Sequence, residues 1–254
     1  MVECIHGLET GRCDICNPKP APVAAPAAPR VTKPRAVSLR RTASSPTSRP
    51  PAIDVGAQRI YHVTHMKNLE AILLSGCLLA DTKQPQPVVD ISSTGNRDER
   101  RAASVDTETV AQYVPFFVTP DSAVWEGIRS EAPDSRLSAD ARHHAPAEFV
   151  MLVSTVDRAG RENAVIAVGD AADADTRFVT AAELMGRELH RLHEDEDALR
   201  QAEFLVWESF PFESISLIGV ANDRARDEVK NILRSAAHKP KVSVYPPWFA
   251  RPEA

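Results

Sequence analysis

The chain has 254 residues, 43% of them hydrophobic and 26% charged, with a formal net charge of -5, a composition that fits one or two globular domains with a sizeable core. No apolar run approaches the ~18 residues of a membrane helix, and Met1-Val2-Glu3-Cys4-Ile5-His6 lacks the basic and apolar regions of a secretory signal. Four cysteines, three of them among the first 16 residues, exclude a disulfide scaffold and point to a reducing cytoplasm.

The first segment, 1–17, holds Cys4-x-His6-x6-Cys13-x2-Cys16. Three thiolates and one imidazole are the donor set of a tetrahedral structural zinc, and the Cys13–Cys16 step has the usual knuckle spacing. The other possibility at this point is a head with three free thiols. Segment 18–56 follows as a linker: nine of the 20 prolines fall between Pro18 and Pro51, interleaved with Ala, Ser and Thr. Residues 17–53 carry seven Lys or Arg and no acid, so they sum to +7, against -2 for residues 1–16 and -10 for residues 54–254. Such a stretch buries too little apolar surface to offset its ordering entropy and stays semi-extended. Its charge suits either nucleic-acid phosphate or plain solubility.

Residues 57–250 read as the folded domain. Arg59 to Thr64 is rich in aromatic and β-branched residues, a strand signal. Leu69, Ile72 and Leu73 then share a helix face that Gly76 stops. Val114–Val118 is a second strand, and Asp121 or Ser122 caps a helix running through Ile128. Glu148–Val156 and Ala164–Val168 read as buried strands flanking an Asp157–Asn163 turn. Residues 181–200 read as one helix with an acidic end. Phe204–Trp207 and Ile215–Val220 are strands, Asn222 caps a helix bearing Ala225, Val229, Ile232 and Leu233, and Lys241–Tyr245 is the last strand. Cys77 is expected as a small buried hydrophobe. Strands and helices are interspersed without regular βαβ alternation, and neither GxGxxG nor GxxxxGK occurs. The fold class is therefore α+β, built on a mixed sheet.

Five blocks carry a resemblance. They are Tyr61-His62-Val63-Thr64-His65-Met66-Lys67-Asn68-Leu69, Arg97-Asp98-Glu99-Arg100-Arg101, Tyr113-Val114-Pro115-Phe116-Phe117, Gln201-Ala202-Glu203-Phe204-Leu205-Val206, and His238-Lys239-Pro240 with Pro247-Trp248-Phe249. In this order and approximate spacing the domain resembles the DarT toxins, single-stranded-DNA ADP-ribosyltransferases. The resemblance implies an ADP-ribosyltransferase-like split mixed β-sheet with NAD in its cleft. It also implies transfer of ADP-ribose to thymidine in single-stranded DNA, and a macrodomain antitoxin as partner.

The same resemblance makes Glu203 the catalytic carboxylate and Arg101 the second catalytic residue, with His62, Val63, Thr64, Ala71, Leu79 and Arg101 in contact with NAD. The chemistry agrees. Breaking the nicotinamide–ribose bond passes through an oxocarbenium-like state, which a fixed carboxylate stabilises. His62 and Thr64 alternate on one side of a strand and so reach one cleft, whereas His65 faces the other way. Arginine does not give up its proton, so Arg101 is expected to stabilise the thymidinate anion rather than act as a base. Two segments depart from the family pattern, Pro120-Asp121-Ser122-Ala123-Val124-Trp125 and Gly169-Asp170-Ala171-Ala172-Asp173. They leave open another acceptor, RNA or a protein side chain, and a catalytically silent binding module on the same fold.

Overall fold

The structure, a computed structural model, describes residues 54–252 apart from 85 and 131. The Cys/His head and the linker up to residue 53 lie outside the described residues. Eight strands make one sheet: β1 (Arg59–His65), β2 (Tyr113–Phe117), β3 (Phe149–Thr155), β4 (Ala164–Ala167), β5 (Phe178–Val179), β6 (Glu203–Trp207), β7 (Leu217–Val220) and β8 (Lys241–Val244). Their spatial order is β8-β7-β3-β1-β2-β6-β4-β5. Only β7 and β8 run parallel; the other neighbours are antiparallel.

Both faces of this sheet are covered, which is why its central strands read as continuous apolar runs rather than as alternating ones. From β3, Val150 and Leu152 join Ile60, Phe116 and Phe204 on one face, against Leu69 and Ile72 of helix α1 (Leu69–Ser75) and Met185 and Leu189 of helix Ala182–Glu194. Phe149, Met151 and Val153 point the other way, with Tyr61, Trp125 and Ile128. Each fully buried Phe or Leu contributes about 1.5–3 kcal/mol relative to exposure. α1 ends where expected, at Gly76 with φ 73°, a left-handed conformation that glycine adopts without steric cost.

Elsewhere the structure corrects the sequence expectations. Span 181–200 is two helices, Ala182–Glu194 and Glu196–Gln201, broken at Asp195 (φ -131°, ψ 102°). The Asp195 carboxylate accepts the Ala198 N–H at 3.1 Å, so a side-chain cap wins over helix continuation. Helix α2 (Thr94–Ala102) has no apolar stripe and buries none of its residues, so periodicity does not reveal it. It is started by Ser93, whose hydroxyl accepts Asn96 N–H at 3.1 Å. Cys77 is only partly buried; it opens a short strand, Cys77–Leu79, paired with Ser209–Pro211. β3 and β4 flank the 156–163 connection without pairing, since β1, β2 and β6 lie between them.

One seam divides the sheet. β1 pairs with β3 from Arg59↔Thr155 to His65↔Phe149, but with β2 only at Tyr61↔Phe117. Pro115 accounts for the interruption. In a strand the N and C=O of one residue point to the same side. The Pro115 carbonyl faces β1, where it meets His62 Nδ1 at 2.8 Å, so the same side carries a proline nitrogen with no proton to donate. A side chain thus replaces the ladder, and the sheet parts there.

Candidate active site

A cavity of about 180 Å³ occupies the seam. His62, Val63 and Thr64 line it from β1, Phe117 from β2, and Trp125 and Ile128 from the helix Ala123–Ser130, so residues of both sheet faces meet in one space. A smaller recess of about 80 Å³ adjoins it, sharing His62, Thr64, Asn68 and Leu79 and adding Ala71 of α1.

His62 donates its Nδ1 proton to the Pro115 carbonyl in the neutral ring, leaving Nε2 as an acceptor. Burial lowers the His62 pKa, the Pro115 bond opposing that only in part, so the neutral ring is favoured. Thr64 is buried and accepts a bond from Asn68 Nδ2 at 3.1 Å. Asn68 also clamps the backbone of Val89, giving 2.9 Å to its carbonyl and accepting its N–H at 3.1 Å. That clamp fixes the segment across the cavity, where Val89, Asp90 and Ile91 form one wall.

Glu203 is the first residue of β6, opposite Phe117 at the end of β2 and Ala167 at the end of β4. Both neighbouring strands stop beside it, which leaves its side chain at the cavity. It is 4% exposed. Its oxygens accept Arg100 Nη1 at 3.1 and 3.0 Å, and Oε1 also accepts the Ala171 N–H at 3.1 Å. A buried carboxylate needs such donors to offset its lost hydration. Arg100 Nη2 is buried and has no partner among the described residues.

Of the residues singled out from the sequence, the cavity and its recess bring together His62, Val63, Thr64, Ala71, Leu79 and Glu203. Arg101 does not line either space. Its side chain is 53% exposed and pairs with Asp81 at 2.9 Å and Asp98 at 3.3 Å. The arginines of α2 that do line the cavity are Arg97 and Arg100. Arg97 forks onto Asp90 with bonds of 3.0 and 2.6 Å and also contacts Asp81. The charge run 97–101 held this information only as a cluster; nothing in it distinguishes Arg100 from its neighbour. Of the two divergent segments, the first starts helix α3 (Ala123–Ser130), with Ser122 Oγ accepting Trp125 N–H at 3.3 Å. The second carries Asp170 and Ala171 to the cavity side of Glu203.

His65 faces away from this cavity, as expected, and packs its ring on Phe149 and His144. His65, His144 and Glu148 bring ligating atoms within 4.8 Å of one another. The grouping is a poor metal site, because His65 Nδ1 accepts the Lys67 N–H at 3.2 Å. The ring proton of neutral His65 is then on Nε2, which has no lone pair for a cation. Among the described residues, no helix is long and apolar enough to cross a membrane.

The family described as "ssDNA thymidine ADP-ribosyltransferase, DarT" matches residues 61–250. A DNA ADP-ribosyl transferase of Thermus sp. (strain 2.9) is 30% identical over 208 residues, which cover 75% of this chain and 95% of that protein. Among solved structures, Thermus sp. 2.9 DarT in complex with ADP-ribosylated ssDNA superposes with a TM-score of 0.65 at 27% identity, over 76% of this chain and 96% of that one. The same protein in complex with NAD+ gives a TM-score of 0.62 at 26% identity, over 76% and 98%.

Proposed function

The chain belongs to the DarT family and is an NAD-dependent DNA ADP-ribosyltransferase, and from that premise we propose that it transfers ADP-ribose from NAD to thymidine in single-stranded DNA, as the toxin of a pair with a macrodomain antitoxin. The observation that carries this reading is the buried Glu203 carboxylate, held by Arg100 and the Ala171 N–H beside a cavity whose other wall is His62 and Thr64.

In this reading NAD lies along the seam. His62 Nε2 accepts from a ribose hydroxyl, and Thr64 with the Val63 backbone holds the nicotinamide amide. Ala71 and Leu79 line the adjoining recess, which suits the remainder of the dinucleotide. The bond between nicotinamide nitrogen and ribose C1′ breaks with its electron pair going to nicotinamide, and positive charge spreads over C1′ and the ring oxygen. Glu203 Oε2 accepts only Arg100 among the described residues, so it retains capacity for a ribose hydroxyl and for that developing charge. Thymine N3 loses its proton to solvent and bonds to C1′. A fixed guanidinium lowers the cost of the thymidinate. We assign that task to Arg100, with its unpartnered Nη2, and place Arg101 at the outer rim with Asp81.

The residues Cys4, His6, Cys13 and Cys16 are proposed as one structural zinc site on their donor set alone, and the +7 linker as a contact for DNA phosphate.

The deciding experiment incubates the full chain with labelled NAD and single-stranded DNA, duplex DNA, RNA or protein. Label is expected on single-stranded DNA at thymidine. Label on RNA or protein alone would replace the acceptor, and neither transfer nor nicotinamide release would leave a binding module.

A further inference from the structure

We propose that Arg136 is a positioning residue for Glu203, acting on both groups that hold its carboxylate. The inference rests on the reading of Glu203 as the catalytic carboxylate.

Arg136 belongs to no motif in the sequence, yet it lines the cavity with a side chain only 21% exposed. Its guanidinium is shared by two acids and by the Gln201 amide oxygen, which Nη1 meets at 3.4 Å. Nε and Nη2 fork onto Asp134 at 3.0 and 2.7 Å, and Nη1 reaches Asp170 at 3.2 Å. The bonds to Asp134 raise the Arg136 pKa and lower that of Asp134, so the charged pair is the favoured state. With two carboxylates against it, this cation is committed and not free to grip a phosphate.

Asp170 is the residue before Ala171, whose N–H bonds Glu203. The other Asp170 oxygen accepts the Ala172 N–H at 2.9 Å, so the donor lies between two anchored points. On the entry side Gly169 has φ 145°, outside the range of ordinary L residues, which lets the chain leave β4 and turn over the carboxylate. Through its own backbone Arg136 reaches the second group. Its carbonyl accepts the Ser93 N–H at 2.8 Å, and Ser93 caps α2, the helix that carries Arg100. One residue therefore ties the Arg100 helix to the Ala171 loop, and Glu203 is held between them. Preorganised donors act at full strength only when they are fixed before the reaction, and a displacement of ~1 Å costs on the order of a hundredfold in rate.

The test uses the full chain and reads kcat and KM for NAD, in nicotinamide release and in transfer to DNA. Asp170→Asn retains the oxygen that caps Ala172 and removes the charge that Arg136 holds. Arg136→Gln removes the same link from the other side. Each is expected to lower kcat about tenfold or more while KM for NAD changes less than about twofold. The double variant should be no worse than the poorer single one, because both break one connection. Arg136→Lys, a point charge without the fork, should fall between. Unchanged kcat in Asp170→Asn, or a loss carried by KM alone, overturns the inference. If Arg136→Gln fails to fold, as shown by its melting curve, Asp170→Asn decides. Glu203→Gln is measured alongside: if it stays active, the assignment of Glu203 itself is wrong. If it is inactive while both link variants keep full kcat, only the positioning role falls.

Discussion

A single nitrogen of Arg100, Nη1, lies within hydrogen-bonding distance of both carboxylate oxygens of Glu203, although 103 residues separate the two in the chain. Arg101, one position further along α2, points to Asp81 and Asp98 instead. The two arginines thus have different work, and substitution separates them. Glu203→Gln keeps volume and hydrogen bonding but not charge, and should lose at least ~100-fold in both transfer and NAD hydrolysis. Arg100→Ala should depress transfer on a similar scale. Arg101→Ala removes a largely exposed pair, worth about 0–1 kcal/mol, and should cost less than about fivefold. Steady-state nicotinamide release and DNA labelling of the three variants check this ranking; a greater loss in Arg101→Ala than in Arg100→Ala would reverse the assignment.

For His62 the expectation is a pH dependence of NAD binding. Its folded-state pKa lies below the ordinary 6.5, because burial disfavours the charged ring. The neutral ring, with Nε2 free to accept, therefore persists as pH falls through 6.5 and is lost only lower down. KM for NAD should be flat from pH 8 to 6.5 and rise in more acid solution. His62→Ala should raise KM about tenfold at neutral pH, the scale of one hydrogen bond, and abolish the acid rise. A wild-type KM that already climbs above pH 7 would sink the idea.

His65 acts on stability rather than on binding. Burial and the neighbouring His144 push its pKa down from 6.5 to about 4. In the unfolded chain it takes up a proton near pH 6.5, whereas in the folded protein it resists until about pH 4. Stability from this group is thus complete above 6.5 and is lost between there and 4, by about 3 kcal/mol at ~1.4 kcal/mol per unit. His65→Asn can still cap the Lys67 N–H but does not titrate there. Urea melts should show the gap between wild type and variant narrowing by about that amount from pH 7 to pH 4; a constant gap would refute it.

The head is tested by metal content. Full-length protein should carry about one zinc per chain, and Cys13→Ser/Cys16→Ser should lose it. If residues 18–56 act as a linker, the melting temperature of the domain should stay the same in the variant. Purified, reduced protein without stoichiometric zinc would return the thiols to a free state.

Seven of the eight strands of the main sheet were legible as apolar or β-branched runs, and the helices beginning at Leu69, Ala123, Ala182 and Asp223 by their apolar faces; Phe178–Val179 is too short to show either signal. His62 and Thr64 were readable as a pair because a strand puts alternate residues on one side. α2 was not legible: with no apolar stripe, Thr94–Ala102 gives no phase to the helix, and adjacent arginines differ by about 100° around its axis. Arg136 and Asp170 were beyond reach for another reason. They come from two separate non-strand segments 34 residues apart, and a side-chain bond between such segments leaves no periodic trace.

Where β1 and β2 part, the backbone ladder is reduced to one residue pair, supplemented by the His62 imidazole on Pro115 and the Gln58 amide on Val118, and the gap has His62 on one side and Glu203 on the other. A ligand gripped by both is a strut across that gap. It would supply, across the seam, bonds that the backbone ladder lacks there. In the proposed placement of NAD, departure of nicotinamide would release only Thr64 and the Val63 backbone, so the ribose would stay between His62 and Glu203 and the strut would outlast the bond that breaks.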